Sequence, residues 1–189
     1  MGTPTAPKTA KIVASILYHH ESFFDAAIES LVKLWDSVDM ISERLEFTYT
    51  DYYDQEMEKG LWRRIISFDA LRDPGELAQI KLNTNALEIS LSEDSPGRRV
   101  VNIDPGYLNA NHLILATTKP APHRPYLQLG IYADLTLIFT GKRFRALPWT
   151  YPDYASEPMI AFLQTIRKRY LFQINRLADL VAANQCGGE

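Results

Sequence analysis

Residues 62–103, WRRIISFDALRDPGELAQIKLNTNALEISLSEDSPGRRVVNI, decide the fold class, because they spell strand, capped helix and strand in one run. Trp62 to Phe68 is rich in bulky and β-branched residues and reads as a strand. Asp73-Pro74-Gly75-Glu76 then starts a helix. Asp73 caps it, Pro74 suits the first helical position, and Glu76 stands where a capping-box acid reaches back. Leu77, Ile80, Leu87 and Leu91 supply an apolar stripe at helical spacing. Ser95-Pro96-Gly97 breaks the chain, and Arg99 to Ile103 restarts it as a strand.

The preceding segment repeats the pattern. Residues 11–18, KIVASILY, form a nearly continuous apolar run, as expected of a strand buried on both faces. Phe24, Ile28, Leu31 and Trp35 make a helical stripe with Ser22 as its cap, and Leu45, Phe47 and Tyr49 alternate as a strand. Strand-helix-strand given twice is the order of a split βαβ, ferredoxin-like sheet. Further strands are expected at His112–Thr118, Tyr126–Phe139 and, after a turn at Thr140-Gly141-Lys142, Arg143–Leu147. A final helix from near Ser156 should bury Leu163, Ile166, Tyr170, Ile174, Leu177 and Val181. With no internal repeat or linker, the expectation is one α+β domain over residues 11–183. A ferredoxin-like βαββαβ core is extended by an antiparallel hairpin and a C-terminal helix, between flexible segments at 1–10 and 184–189.

The 189 residues suffice for one sizeable core, and 46% hydrophobic with 23% charged residues describes a globular chain. A formal net charge of −3 makes nucleic acid a poor bulk electrostatic partner. The single cysteine, Cys186, allows no internal disulfide. No signal peptide or apolar run of spanning length is evident, so a cytoplasmic location without membrane contact is expected.

Three stretches concentrate aromatic and acidic residues: Tyr49–Asp54, Asp104-Pro105-Gly106-Tyr107 and Pro148–Tyr154. Read as loops, the first two would follow the second and fourth strands of the core and share one rim of the sheet. Tyr and Trp combine an apolar face with a polar tip and suit a wet pocket. The expected ligand site therefore comprises Asp51, Tyr52, Asp54, Asp104, Tyr107, Lys119, His123, Arg124, Trp149, Tyr151 and Asp153. Lys119, His123 and Arg124, in a loop stiffened by Pro120 and Pro122, would hold a phosphate or carboxylate. Trp149 and Tyr151 would stack on a ring. Asp51, Asp54 and Asp104 would bind hydroxyls or Mg²⁺, although their spacing matches no specific metal loop. His123 and Asp104 are the candidates for acid-base chemistry, should there be any. Asp134, on the polar side of its strand, is expected to face water.

Competing readings are a solvated acidic loop, a Pro-rich connector and an aromatic plug under the last helix. A protein-interaction module built on exposed aromatic loops is the main functional alternative. RNA binding through the sheet ranks last, because the strand faces look apolar. No P-loop, G-x-G-x-x-G, C-x-x-C, H-E-x-x-H or G-x-S-x-G is present.

The strings FTYTDYYDQEM (47–57), ISFDAL (66–71), IKLNTNALE (80–88), RRVVNIDPGYL (98–108), LATTKPAPHRPYL (115–127), GIYADLTLIF (130–139) and LPWTYPDYAS (147–156) closely resemble a bacterial family. It is known as domain of unknown function 4416. The resemblance runs in order from about Lys11 to the final helix. It implies a small cytoplasmic bacterial protein. Members of that family often carry a "GTP-binding" label, for which this chain has no P-loop. The resemblance assigns no catalytic residues.

Overall fold

The computed structural model describes residues 1–48, 56–57, 59–93 and 98–186, with side chains as far as 180. It is one α+β domain. Strands β1 (Ala10–Tyr18), β2 (Val38–Ile41), β3 (Leu45–Glu46), β4 (Trp62–Arg72), β5 (Val101–Leu108), β6 (His112–Thr117), β7 (Tyr126–Gln128), β8 (Ile131–Thr140) and β9 (Arg143–Ala146) form a single sheet. Helices α1 (Glu21–Leu34), α2 (Leu77–Leu91) and α3 (Glu157–Cys186) cover it.

The sheet order is β2-β4-β1-β5-β6-β8-β7, with β3 also on β4 and β9 also on β8, and every pairing is antiparallel. The β2-β4-β1-β5 half is the split βαβ core. There α1 carries the chain from β1 across β4 to β2, and α2 carries it from β4 across β1 to β5. Of the strand expected at Leu45–Tyr49, only Leu45–Glu46 pairs, as β3, and the core strand is instead β2, which precedes it; Tyr49 lies outside the described residues. The run expected as one strand over Tyr126–Phe139 turns back on itself at Leu129-Gly130. Both of those residues have positive φ, 56° and 75°, as a two-residue hairpin turn requires.

Burial of β1 on both faces explains its nearly continuous apolar sequence. Ile12, Ala14, Ile16 and Tyr18 meet α1 through Phe24, Ala27 and Leu31. Val13 faces the opposite core, under Met159, Leu163 and Ile166 of α3. The α1 N-cap is His20, in extended conformation with no side-chain cap bond. Ser22 therefore lies inside the first turn rather than capping it. Asp73 does cap: its Oδ1 accepts from the Gly75 N–H at 2.7 Å, and Pro74–Glu76 forms a 3₁₀ turn leading into α2. Glu76 bonds Arg72 at 3.0 Å instead of reaching back. In α3, Leu163, Ile166 and Tyr170 are buried, whereas Leu177 is exposed.

A polar clamp fixes α3 to the sheet. The fully buried Lys11 donates to the Phe68 carbonyl and to Gln173 Oε1 and pairs with Asp39, each at 2.7 Å. Arg169 of α3 pairs with Asp39 and Asp69. Burial pushes the Asp39 carboxyl up, but hydrogen bonds from Lys11, Ser67 and Arg169 outweigh it and hold the group below the usual aspartate range. The stability that Asp39 contributes is thus complete above about pH 4 and lost as pH falls through the lowered folded value. Asp39→Asn should be less stable than wild type at neutral pH. Denaturation midpoints should converge below about pH 4; a constant gap across pH would contradict the assignment.

Candidate functional site

β5 and β6 pair only over Gly106–Leu108 and Leu113–Leu115, and then part. Three features of β5 permit that split. Gly106 lies so close to β6 that an added Cβ would stand 2.3 Å from the Ile114 carbonyl oxygen. Pro105 has no N–H to leave unsatisfied where β6 has moved away. The Ile103 peptide, which would otherwise have lost its ladder partners, bonds to α2: its N–H donates to Glu88 Oε1 at 2.6 Å, and its carbonyl accepts from Lys81 Nζ at 2.7 Å. Asp104-Pro105-Gly106-Tyr107 is accordingly the interior of a strand, not a loop. Asp104 lies mid-sheet rather than on the expected rim, and the other acidic stretch, Tyr49–Asp54, lies outside the described residues.

The split opens a cavity of about 610 Å³, within the range of small-molecule sites. Asn102 and Asp104 line it from β5, Leu115–Thr117 from β6, Asp134 and Thr136 from β8, and Lys81 and Asn85 from α2. Arg63 of β4, Phe47, Glu56 and Arg99 also line it, as do Lys119 and Arg124, which follow β6 in the chain. The segment Trp149–Tyr154 forms its cover. Two bonds pin that cover to β8: Trp149 Nε1 donates to the Leu135 carbonyl at 2.9 Å, and Thr150 Oγ1 to the Thr136 carbonyl at 2.6 Å.

Six of the sequence candidates, Asp104, Lys119, Arg124, Trp149, Tyr151 and Asp153, are brought to this one wall. Asp51, Tyr52 and Asp54 lie outside the described residues. Tyr107 is not in the wall; its ring meets His112 edge-on at 5.7 Å. Nor is His123, which stacks on Trp149 with centroids 5.0 Å apart and lies 3.8 Å from the Asp134 carboxylate. Asp134 does not face water: it is buried and pairs with Arg124 at 2.7 Å.

The wall is a set of matched charges. Arg63, buried under the cover, pairs with Asp153 at 2.8 Å and donates to Ser15 Oγ at 2.5 Å and to the Tyr154 hydroxyl at 2.9 Å. Arg99 joins Glu88 at 3.2 Å and Glu56 at 3.0 Å. Burial drives the Glu88 carboxyl up despite the opposing pull of Lys81, the Ile103 amide and Arg99. Asp104 accepts from Asn102 Nδ2 at 2.8 Å and lies 3.4 Å from Lys81 Nζ. Burial pushes its carboxyl up too, but Lys81, Arg63 and Asn102 prevail and hold it below the usual range. Among the described residues, no group of three or more His, Cys, Asp or Glu side chains could hold a metal ion, and no helix is long and apolar enough to cross a membrane.

Sequence reading missed Arg63, Lys81, Asn85, Glu88, Arg99 and Asn102. One signal was available. Lys81, Thr84 and Glu88 follow Leu77 at intervals of four, three and four, and all four are buried. The helix thus turns a polar stripe inward where the apolar residues alone suggested its core face.

No curated protein and no solved structure matches the chain significantly. A family model does match, over residues 8–170, a span that takes in every described wall residue of the cavity. The chain belongs to the family described as Domain of unknown function (DUF4416).

Proposed function

We propose that the cavity between β5 and β6 binds a small molecule carrying a phosphate or carboxylate, nucleotides among the candidates. The observation that carries this reading is concavity. Charged, amide and hydroxyl side chains from five elements (α2, β4, β5, β6 and β8) and aromatic ones from the cover converge on one concave volume of about 610 Å³, whereas a protein-docking surface would be flat. Lys119, exposed at the end of β6, and Arg124 would meet the anion, and the partly exposed rings of Trp149 and Tyr151 would flank the ligand at the mouth. Asp104 and Asp153 supply acceptors. No catalytic step is assigned, because His123, the expected acid-base group, stands outside the wall.

The test is a thermal-shift screen against sugar phosphates, nucleotides and dicarboxylates, with and without Mg²⁺. A ligand that binds the native state raises the melting temperature in proportion to RT ln(1 + [L]/Kd). A saturable rise is expected from at least one anionic class and should weaken in Lys119→Ala. A flat response across the panel would refute the reading.

A second reading, a non-catalytic interaction module, is favoured by the outer strand β7. Tyr126, Leu127 and Leu129 are exposed there by 60%, 40% and 54%, at an open sheet edge that could take a strand from a partner.

A further inference from the structure

The apolar stripe of α3 outruns the sheet on which it packs. Met159, Leu163, Ile166 and Tyr170 recur at steps of four, three and four, and all four are buried. The same rhythm continues through Gln173, Leu177 and Leu180, so the series occupies the a and d positions of a heptad repeat. Gln173 is still held to the body, accepting from Lys11 at 2.7 Å and donating to the Asp69 carbonyl at 2.9 Å. Beyond it the surroundings change. Every side chain over residues 175–180 is exposed, Leu177 by 47% and Leu180 by 54%, while the helix runs on to Cys186. A short helix without a packed face is marginal in water, yet this one carries on the seam that buries its first half.

Charge and symmetry select what covers that seam. Over residues 171–186 the charged side chains are Arg176 and Asp179. They cancel, so the segment offers no field to draw an acidic or basic partner or a charged lipid surface. A second copy of the helix, laid antiparallel about a twofold axis midway between Ala178 and Asp179, matches the seam with itself. Leu177 then meets Leu180 of the second copy, and Leu180 meets its Leu177, an isologous contact. Arg176, at a g position, falls level with position 183 of the second copy, an alanine, so no like charges meet. The body decides the orientation. The stripe as far as Tyr170 is covered by the chain's own sheet, and a parallel helix would need that same space. Antiparallel copies place their bodies at opposite ends of the overlap.

We propose that residues 171–186 of α3 form an antiparallel helix pair with a second copy of this chain, joining two domains into a symmetric dimer. The overlap spans roughly 24 Å at about 1.5 Å per residue. That puts it at the small end of specific interfaces, about 1,200 Å² or less, so the dimer forms in a concentration-dependent equilibrium. The surface lies apart from the cavity, and the inference does not rest on the ligand reading.

Sedimentation velocity of the full chain, from low-micromolar to near-millimolar concentration, tests it. The weight-average mass should rise from that of the monomer toward that of the dimer. The double variant Leu177→Lys, Leu180→Lys should stay monomeric throughout. Its melting temperature at low concentration should be unchanged, because both leucines are exposed on the monomer. Disulfide trapping in a Cys186→Ser background reads the orientation. A mixture of Ile174→Cys and Val181→Cys chains should give the mixed disulfide, since e positions face each other across an antiparallel seam, and neither variant alone should cross-link. Wild-type protein that stays monomeric at every concentration overturns the proposal. So does a dimer that survives the double variant, which would belong to another surface such as the β7 edge. Cross-linking by either cysteine variant alone overturns the antiparallel arrangement.

Discussion

Gly106→Ala should destabilise the protein by about 3 kcal/mol or more, at the upper end of what overpacking costs, and lower its melting temperature by roughly 6–12 °C for a domain of this size. The added methyl would lie 2.3 Å from the Ile114 carbonyl oxygen and 2.7 Å from Leu115 Cδ2. The first of these is backbone inside a paired strand, so relief requires β5 and β6 to separate. Gly130→Ala is the control. Its Cβ meets nothing within 4 Å, and only the φ of 75° opposes it, for about 1–2 kcal/mol. Thermal denaturation of the two variants distinguishes steric closeness from backbone strain. Equal losses would mean that the strands do not approach each other at Gly106 as described. Because Gly106 is the last residue of β5 paired before the split, the same substitution should also disturb the cavity.

Asp153→Ala should cost about 3–5 kcal/mol, the range for removing one partner of a buried pair. The side chains of Arg63 and Asp153 are each 6% exposed, so solvent entering from the cavity replaces the lost carboxylate only in part. Further bonds of Arg63, those to Ser15 and Tyr154 among them, with Asp104 in its field, place the loss toward the lower end. The double variant Arg63→Met, Asp153→Leu should recover much of it, since what destabilises is the stranded guanidinium rather than the absence of a salt bridge. Denaturant midpoints of both singles and the double close the cycle. A double variant as unstable as the sum of the singles would contradict this account. The pair also fastens the cover over the cavity, so Asp153→Ala should weaken ligand binding along with stability.

Where one physical signal dominated, the sequence was readable. Residues 11–18 are apolar but for Lys11 and Ser15 because both faces of β1 are buried. Asp73-Pro74 begins a helix because the cap and the fixed φ act locally. The order of strands and helices sufficed for the split βαβ core, which β2-β4-β1-β5 bears out. Elements failed to read where tertiary context reversed a local rule. Pro105-Gly106 is a turn signal that here sits inside a strand, because one neighbouring strand leaves at Pro105 and presses close at Gly106. Leu129 takes a left-handed turn position that leucine rarely occupies. β2 is four residues long, too short for its alternation to register.

The same contrast holds for the site. Trp149, Tyr151, Lys119 and Arg124 stand out because aromatic residues, prolines and cations cluster along the chain. Arg63 and Lys81 did not, because a charge in a strand or helix reads as solvent-facing until its partners, Asp153 and the Ile103 carbonyl, are known from other elements. The pairs Arg63–Asp153, Arg99–Glu56 and Lys81–Asp104 join residues far apart in sequence, and no local pattern encodes them.

The central claim, that the cavity at the β5–β6 split is the ligand site, is tested most directly by titrating isotopically labelled protein with ribose 5-phosphate and following backbone amide shifts by NMR. Saturable shifts concentrated at Ala116–Lys119 and along Trp149–Tyr154 are predicted. Shifts concentrated at Tyr126–Leu129, or none at all, would contradict it.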